Sequence, residues 1–416
     1  MTTFLLAPPK VLIRWSESEL DRALDKPVCI VTSDMDDSTR EKLKAAIGRY
    51  SESLYEFGNY NSSSTIPLRL LQLAQKERAS HIVAMSEVDV MRSARLRDHL
   101  GLVGLKADQA LFFRDKAMMK KQAAKEGIKV AKHSLVYDPL TLLNATEELG
   151  YPVVIKPPMG RGSSGVNVVQ NRRELEDFLT EYRWNDLGAQ VPLLVEEYIE
   201  GDLYRIDGVV HNGKVCFSAA AKYWGTHLNY LGGGCLGSVM LDPKAPLAKD
   251  LTGLTERLLL EVLPFAENGS FHVEVFKNSD GELVFSEAAA RLGGGSIIEE
   301  VETSYGVNIK SLTLAAECGN DAAVAEILGM QHSQFVPAAQ LHISPKAKTL
   351  VSMPAQCEFP YVSLCEFQGQ AGDNFQLMTH TNSEIARFVL KGESPEILEQ
   401  RLQELVLWFE EQCQWT

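Results

Sequence analysis

Short apolar runs alternate with amphipathic stretches over the first hundred residues of the chain. Pro27–Thr32 and His81–Met85 are apolar runs with the length of buried parallel strands. Ser38–Arg49 and Pro67–Arg78 lie between those runs and carry apolar residues at helical spacing. Alternating strands and helices of this kind predict an open α/β unit, which we place at residues 1–110.

From Phe112 onward the pattern changes to short strands mixed with helices. A helix is predicted over Arg114–Glu126, with Gly127 as its stop signal. Strands are predicted over Tyr151–Lys156, Val166–Val169 and Leu193–Ile199. We place the predicted helix and the first two of these strands in one unit at residues 111–192. The third strand, Leu193–Ile199, begins the next unit.

Two hairpins dominate the following stretch, at residues 193–335. The first joins Leu203–Val210 to Lys214–Ala221 through Asn212-Gly213, which is a strong hairpin signal. The second joins Phe271–Phe276 to Glu282–Glu287 through a turn that ends at Gly281. Antiparallel hairpins mixed with helices predict an α+β architecture here.

The remaining residues, 336–416, are predicted to form a small appended domain of mixed α and β structure. Its predicted elements are the strands Ala339–Ile343 and Phe375–Thr379 and the amphipathic helix Pro395–Gln412. The fold class expected for the whole chain is therefore α/β plus α+β.

Composition and charge narrow the classes of function. The 416 residues are 45% hydrophobic and 23% charged, and 41 basic against 55 acidic residues give a net charge of −14. That balance argues against nucleic acid or an anionic membrane as a partner, because both bind clustered Lys and Arg. No apolar run reaches membrane-spanning length, and the start of the chain lacks a signal-peptide pattern. With seven scattered cysteines and no metal-like Cys or His spacing, we expect free thiols in a cytoplasmic protein.

A glycine-rich segment, Gly160–Gly165, matches the pattern GxGxxG. In a dinucleotide-binding fold that turn opens directly into a helix, whereas here the strand-like run Val166–Val169 follows. No GK[ST] follows either, which argues against a Walker loop. Two interpretations remain open: a flap whose backbone N–H groups and hydroxyls fold over phosphates, or a solvated hairpin turn.

Two lysines are candidates for binding the phosphates of a nucleotide. Lys156 closes an apolar strand, where its charge is costly unless it is paired or binds a ligand. Lys116 lies in the first turn of a predicted helix, where its charge opposes the helix dipole. Ordinary surface or snorkelling lysines would look the same in sequence.

Acidic residues on the second hairpin are candidates for a metal site. Glu274 and Glu287 lie on the two strands amid apolar residues, and Arg291 follows ahead of a glycine triplet. Two carboxylates suit Mg²⁺, and a guanidinium beside a glycine turn suits a phosphate or carboxylate. Solvent-facing glutamates on half-exposed strands are the alternative.

The segment from Glu196 to Asp202 is a strand that runs into a turn. Such a connector offers backbone N–H and C=O groups to an adenine edge. A carboxylate just past it, at Asp202, can accept hydrogen bonds from ribose hydroxyls.

Taken in order, these features resemble the ATP-grasp superfamily. Lys116, Lys156, the Gly/Ser loop, the segment EEYIEGD, and Glu274 and Glu287 with Arg291 follow the sequence of parts found in that family. The segments Leu96–Gly104 and Ala110–Lys116 are similar to the branch of L-amino-acid ligases, which make dipeptides. The resemblance covers essentially the whole chain and implies an ATP-grasp fold with an N-terminal open α/β domain, a two-lobed ATP-binding core and a small C-terminal domain.

The resemblance also implies roles for individual residues, with ATP lying between the two lobes. By this resemblance, Lys116 and Lys156 would contact phosphates, and the loop residues Gly162, Ser163, Ser164 and Gly165 would close over them. The segment Glu196, Glu197, Tyr198 and Ile199 would hold adenine, and Asp202 would bind ribose. Glu274 and Glu287 would coordinate Mg²⁺, or Mn²⁺ in its place. Arg291 would neutralise the transferred phosphoryl group, and Lys222 matches a further phosphate-directed lysine.

The activity implied by the resemblance is ATP- and Mg²⁺-dependent ligation of a carboxylate to an amine through an acyl phosphate. Small-molecule substrates such as amino acids are the expected partners, and the family often forms homodimers. One departure concerns the metal site: where the family often has Glu-x-Asn, this chain has Glu287-Ala288-Ala289. Alternatives are another ATP-grasp enzyme, such as a carboxylase-like protein or a small-molecule kinase, or a nucleotide-binding protein without catalysis.

Overall fold

The computed structural model describes residues 2–182, 184, 192–376, 378 and 384–416. Its strands form four sheets, of four, four, eight and two strands. No helix among these residues has the length and apolar character that a membrane span requires. All seven cysteines are free, as the sequence predicted.

The N-terminal unit is a parallel sheet with strand order β3-β2-β1-β4, flanked by helices. Its elements are β1 (Thr2–Leu6), α1 (Pro9–Leu12), α2 (Glu17–Ala23), β2 (Val28–Ser33), α3 (Asp37–Ile47), a 3₁₀ turn (Gly48–Ser53), β3 (Leu54–Phe57), α4 (Ile66–Lys76), β4 (Ala79–Ala84), α5 (Glu87–Leu100) and α6 (Ala107–Leu111). The predicted open α/β unit is confirmed, and its two predicted strands and two predicted helices agree with the structure to within a residue or two at each end.

The next elements build a small antiparallel sheet with strand order β5-β8-β6-β7. They are α7 (Lys116–Lys125), β5 (His133–Val136), α8 (Pro139–Leu149), β6 (Val153–Lys156), β7 (Asn167–Val169), α9 (Arg172–Glu181) and β8 (Leu193–Glu197). Helix α7 begins at Lys116, two residues later than predicted, because the Asp115 side chain accepts hydrogen bonds from the N–H groups of Ala117 and Met118 and caps the helix. The segment after Gly165 is a strand, which confirms that the glycine-rich segment is no dinucleotide turn.

The rest of the chain forms a sheet of eight strands in the order β13-β12-β9-β10-β11-β14-β17-β16. Its strands, the helices and the small last sheet are β9 (Gly201–His211), β10 (Lys214–Trp224), α10 (His227–Leu231), β11 (Cys235–Met240), α11 (Pro246–Arg257), a π-helical turn (Leu258–Val262), β12 (Gly269–Asn278), β13 (Leu283–Ala289), α12 (Ile297–Tyr305), α13 (Ile309–Glu317), α14 (Asp321–Gly329), β14 (Ala338–Ile343), β15 (Leu350–Ser352), β16 (Val362–Phe367), β17 (Ala386–Lys391), α15 (Pro395–Gln412) and β18 (Gln414–Trp415). Both predicted hairpins and the last helix are confirmed.

The segment predicted as a strand at Phe375–Thr379 is the one strand prediction that the structure contradicts. Phe375, Gln376 and Met378 lie outside any strand, and residues 377 and 379 fall outside the described residues. The strand in this part of the chain is instead β17, which pairs with one edge of β14 and whose residues Ala386–Leu390 are all buried. A strand prediction based on apolar character alone therefore selected the wrong one of two neighbouring segments.

The eight-stranded sheet is continuous across residue 335, where we predicted a domain boundary. Strand β11 on one side of that position pairs antiparallel with β14 on the other, from Cys235 opposite Ile343 to Val239 opposite Ala339. The four domain ranges stay a prediction. The C-terminal strands nevertheless extend the sheet that carries both hairpins.

A substitution at Gly208, on β9, can test how tightly this sheet packs. A Cβ atom there would lie 2.2 Å from the carbonyl oxygen of Phe217 and 2.5 Å from Cζ of Phe271. We expect Gly208→Ala to lower the free energy of unfolding by about 1–3 kcal/mol, the usual cost of overpacking.

The matched control is Gly253→Ala, on the exposed side of α11, where nothing lies within 4 Å of the added atom. We expect this variant to be more stable by about 0.5–1 kcal/mol, because alanine loses less backbone entropy in a helix. Thermal denaturation of both variants checks the pair, and equal melting temperatures would contradict the packing described here.

Candidate active site

A single large cavity, with a volume of about 1660 Å³, collects the residues predicted to bind ATP, metal and substrate. Its lining comes from the N-terminal unit, the small antiparallel sheet and the eight-stranded sheet. Of the fifteen predicted site residues, all except Gly165 line it: Lys116, Lys156, Gly162, Ser163, Ser164, Glu196, Glu197, Tyr198, Ile199, Asp202, Lys222, Glu274, Glu287 and Arg291. Gly165 closes the loop just outside, with a positive φ of 72°.

Lys116 ties the glycine-rich loop to the second hairpin. Its Nζ donates to the carbonyl oxygen of Gly160 at 3.0 Å and lies 2.9 Å from Oε2 of Glu287. Burial alone would raise the pKa of Glu287, but Lys116 and Lys156 outweigh it and lower that pKa well below its usual range. Glu287 is therefore a carboxylate at neutral pH.

Glu196 holds two buried lysines in the same cavity. Its Oε2 lies 2.8 Å from Nζ of Lys156, and its Oε1 lies 3.3 Å from Nζ of Lys120. Burial opposes ionisation of Glu196, but Lys120 and Lys156 outweigh it and lower the pKa. The Glu196 side chain thus orients lysines, which leaves backbone groups for the predicted contact with adenine. Strand β8 ends at Glu197, so Tyr198 and Ile199 already belong to the connector.

Glu274 and Glu287 face each other across the second hairpin. They are paired in the register of β12 and β13, so their side chains project from the same face of the sheet. The hydroxyl of Tyr223 donates to Oε1 of Glu274 at 2.9 Å. Burial opposes ionisation of Glu274 as well, but the contact with His272 lowers its pKa.

Two opposed carboxylates fit a divalent cation. Magnesium is usually held by one or two carboxylates, and it completes its coordination with water and nucleotide phosphates. Among the described residues, no group of three or more His, Cys, Asp and Glu is arranged to hold a metal on its own. The side chains therefore fit a metal that arrives with a nucleotide rather than a closed structural site. Ala289 lies on the same face, opposite His272.

A row of polar side chains crosses the face of the sheet that carries these glutamates. Directly opposite residues on antiparallel neighbours point to the same side, so the register identifies the members. In order across the strands they are Glu287, Glu274 with His272, Arg205 with Asp207, Tyr223, Ser238, Gln340 with His342, Arg387 and Glu366. Helix α12 covers part of the row, since Glu300 bonds Arg205 and Ser238.

The predicted phosphoryl-neutralising residue, Arg291, is held from the N-terminal unit. Its Nε donates to Glu87, the first residue of α5, and Arg114 donates to the other oxygen of the same carboxylate. Arg291 also donates to the carbonyl oxygen of Leu292 at 2.8 Å. The arginine is thus oriented by a carboxylate more than two hundred positions away in sequence.

Lys222 and Asp202 form a separate pair near the same cavity. Nζ of Lys222 lies 3.0 Å from Oδ2 of Asp202, and both side chains are partly exposed. The predicted position of Lys222 beyond the first hairpin is wrong, because β10 continues to Trp224. Asp202 lies just past the connector, as predicted, and is the second residue of β9. Strand alternation puts both residues on the face opposite to that of Arg205 and Glu274.

Several residues of the site were missed by reasoning from sequence: Glu87, Lys120, Arg205, Asp207, Tyr223, His272 and Glu300. A signal existed for two pairs. Alternation puts Arg205 and Asp207 on one face of β9, and His272 and Glu274 on one face of β12. Charged residues two apart in an otherwise apolar strand indicate a polar patch on a buried face. Glu87 and Glu300 carry no comparable local pattern.

Comparison with models of protein families identifies one domain of the chain. Residues 149–300 match the model of the ATP-grasp domain, and the chain accordingly carries an ATP-grasp domain in the mixed α/β fold predicted from its sequence.

Two similar proteins and one similar solved structure are ligases. An L-arginine-specific L-amino acid ligase from Bacillus subtilis is 23% identical over 297 residues, which are 68% of this chain and 71% of that protein. An alanine–anticapsin ligase from Bacillus subtilis (strain 168) is 25% identical over 305 residues, 67% of this chain and 62% of that protein. The structure of an L-amino acid ligase from Bacillus licheniformis superimposes with a TM-score of 0.72 at 16% identity, covering 100% of this chain and 98% of that one. The fold and the enzyme class predicted from the sequence, an ATP-dependent carbon–nitrogen ligase, agree with these relatives.

Glu287→Gln tests the metal site, because it keeps the shape of the side chain and removes the charge opposite Glu274. We expect ATP turnover to fall about 100-fold or more, the usual cost of losing one electrostatic contact to the reacting groups, while the melting temperature stays near that of the wild type.

Glu282→Gln is the matched control on the same hairpin, since Glu282 is exposed and pairs with Lys129. Its turnover should equal that of the wild type across magnesium concentrations. Equal turnover in both variants would show that Glu287 is no metal ligand.

Proposed function

We propose that this protein is an ATP- and Mg²⁺-dependent ligase that joins the carboxylate of one amino-acid-like substrate to the amine of another. The observation that carries the proposal is the cavity, in which Lys116 and Lys156 lie beside the opposed carboxylates Glu274 and Glu287 under the glycine-rich loop. Similarity to the two amino-acid ligases supports the same choice of substrates.

The first step activates the carboxylate, whose own leaving group would be oxide. A carboxylate oxygen attacks the γ-phosphorus of ATP, the bond from that phosphorus to the bridging oxygen breaks, and ADP leaves. Catalysis of such a transfer depends mainly on positioning and on stabilisation of charge. Lys116 and Lys156 bind phosphate oxygens, and Glu274 and Glu287 hold the cation, which neutralises phosphate charge when it is bound.

The second step forms the amide. The nitrogen of a neutral amine attacks the acyl carbon, the bond from that carbon to the phosphate oxygen breaks, and the departing phosphate takes up the proton that the nitrogen loses and leaves as hydrogen phosphate. Arg291, oriented by Glu87, faces the cavity and stabilises the charge on the transferred phosphoryl group.

Water must be kept from the acyl phosphate until the amine arrives. The loop at residues 160–165 is built to cover the phosphates, with Gly162 and Ser163 both at positive φ, 53° and 57°. Lys116 fixes its base through the carbonyl oxygen of Gly160. Such closure protects a reactive intermediate from hydrolysis.

The nucleotide product is the test of this chemistry. We expect ADP and phosphate to appear one-for-one with the amide when pairs of the common L-amino acids are screened with ATP and Mg²⁺. Hydroxylamine should convert the acyl phosphate into a hydroxamate when the carboxylate substrate is supplied alone. Nucleotide chromatography and the colour of the ferric hydroxamate measure the two products.

Other products would identify the alternatives. AMP and pyrophosphate as stoichiometric products would exclude an acyl phosphate. A stable phosphorylated product would indicate a kinase, and ATP binding without turnover on any substrate pair would indicate a protein that only binds nucleotide.

A further inference from the structure

The polar row contains a cluster of charged side chains that the mechanism above does not use. Arg205, Asp207 and Glu300 are each 0% exposed, and His272 is 6% exposed. Arg205 donates to both carboxylates, and Ser238 donates to Glu300 at 2.9 Å. Burying so many ions is costly unless they are fully paired, so the cluster needs an explanation beyond sheet stability.

One member of the cluster reaches the predicted metal site. His272 lies opposite Asp207 in register, and Glu274 follows two residues later on the same strand and the same face. Nδ1 of His272 lies 2.8 Å from Oδ1 of Asp207, and Nε2 lies 3.5 Å from Oε1 of Glu274. The imidazole ring therefore stands between two carboxylates, with one nitrogen directed at each.

The orientation of the ring is fixed from a third side by the main chain. A Cβ atom at Gly293 would lie 2.6 Å from Oδ1 of Asp207 and 2.9 Å from Nδ1 of His272. Only glycine allows the backbone to approach this contact so closely. Any larger residue at position 293 would therefore disturb the contact between Asp207 and His272.

Tyr223 and His272 contact the same carboxylate oxygen of Glu274. Oε1 lies 2.9 Å from the hydroxyl of Tyr223 and 3.5 Å from Nε2 of His272. Within the part of the chain that the structure describes, Oε2 has no hydrogen bond. Holding one oxygen on protein donors directs the other toward a cation shared with Glu287.

We propose that Asp207 and His272 are positioning residues for the metal site, acting in series to fix the carboxylate of Glu274. Asp207 orients the ring, and the ring orients Glu274. This inference rests on the proposed function, because it takes Glu274 as a metal ligand. Groups that orient metal ligands commonly change metal affinity 10- to 100-fold when they are removed.

The competing explanation is that Asp207 only neutralises Arg205. The chain supplies a matched control for that explanation in Glu300, which is equally buried and also accepts from Arg205 but does not touch His272. Asp207→Asn and Glu300→Gln each replace a carboxyl group beside the same guanidinium with an amide. Only the first variant also breaks the series that leads to Glu274.

The experiment is a titration of Mn²⁺ in the presence of ADP, followed by the electron paramagnetic resonance signal of the free ion and corrected with an ADP blank. We expect Asp207→Asn to raise the Kd for Mn²⁺ about 10- to 100-fold, and Glu300→Gln to change it less than about 3-fold. His272→Phe keeps an aromatic ring at this position, removes both ring nitrogens and should match Asp207→Asn. The double variant of Asp207 and His272 should bind as weakly as either single variant, because residues in series are not additive.

Three results would overturn the inference: equal shifts in Asp207→Asn and Glu300→Gln, no shift in either Asp207→Asn or His272→Phe, or additive shifts in the double variant. If Asp207→Asn does not fold, His272→Phe and Glu300→Gln carry the same comparison. Loss of Mn²⁺ binding in Glu287→Gln, with wild-type binding in both positioning variants, would contradict this inference but support the metal site. Wild-type protein that binds no Mn²⁺ would remove both the metal site and this inference.

Discussion

Neutralisation of buried charge is the constraint on which the structure depends. The sheet face under α12 carries acidic and basic side chains where apolar ones would pack at lower cost. Each ion is tolerated there because a partner lies on the same strand, on the next strand or on the covering helix. Arg205, for example, pairs with Asp207 on its own strand and with Glu300 on α12. Removing one partner leaves a buried charge uncompensated, so the members of the row depend on one another. The register of the strands is what brings them into line.

The same constraint shapes the nucleotide end of the cavity. Lys120 and Lys156 would repel each other if they were buried alone, and Glu196 between them makes the arrangement stable. Glu287 likewise neutralises the charge of Lys116. These lysines are therefore held in place before a ligand arrives, and under the proposed function polyphosphate would meet an arrangement that needs little further ordering. Preorganised charge of this kind is the main source of catalysis in phosphoryl transfer.

Local patterns in the sequence were enough for most elements and for much of the site. Apolar runs, the Asn212-Gly213 turn and helix stop signals located both hairpins, the N-terminal sheet and the last helix, because each depends on neighbouring residues. Lys156, Glu274 and Glu287 were predicted as site residues because they interrupt apolar strands. Partners such as Glu87 and Glu300 were not found, because their role depends on strand register and on contacts far apart in sequence. Phe375–Thr379 failed for a related reason, since pairing with β14, and not apolar character, selects the strand.

The continuity of the eight-stranded sheet has a consequence for how such a protein can change its substrates. Strand β14 shares main-chain hydrogen bonds with β11, so the C-terminal segment is attached by a ladder rather than by a linker. Cutting the chain between them would leave β11 as an open edge, which invites association with other chains. Transplanting the last eighty residues from a relative would require matching that ladder along its whole length. Single replacements at the cavity-facing positions of β14 and β17, such as His342 and Arg387, leave the ladder intact, so point mutation is the more accessible evolutionary route to a different cavity lining.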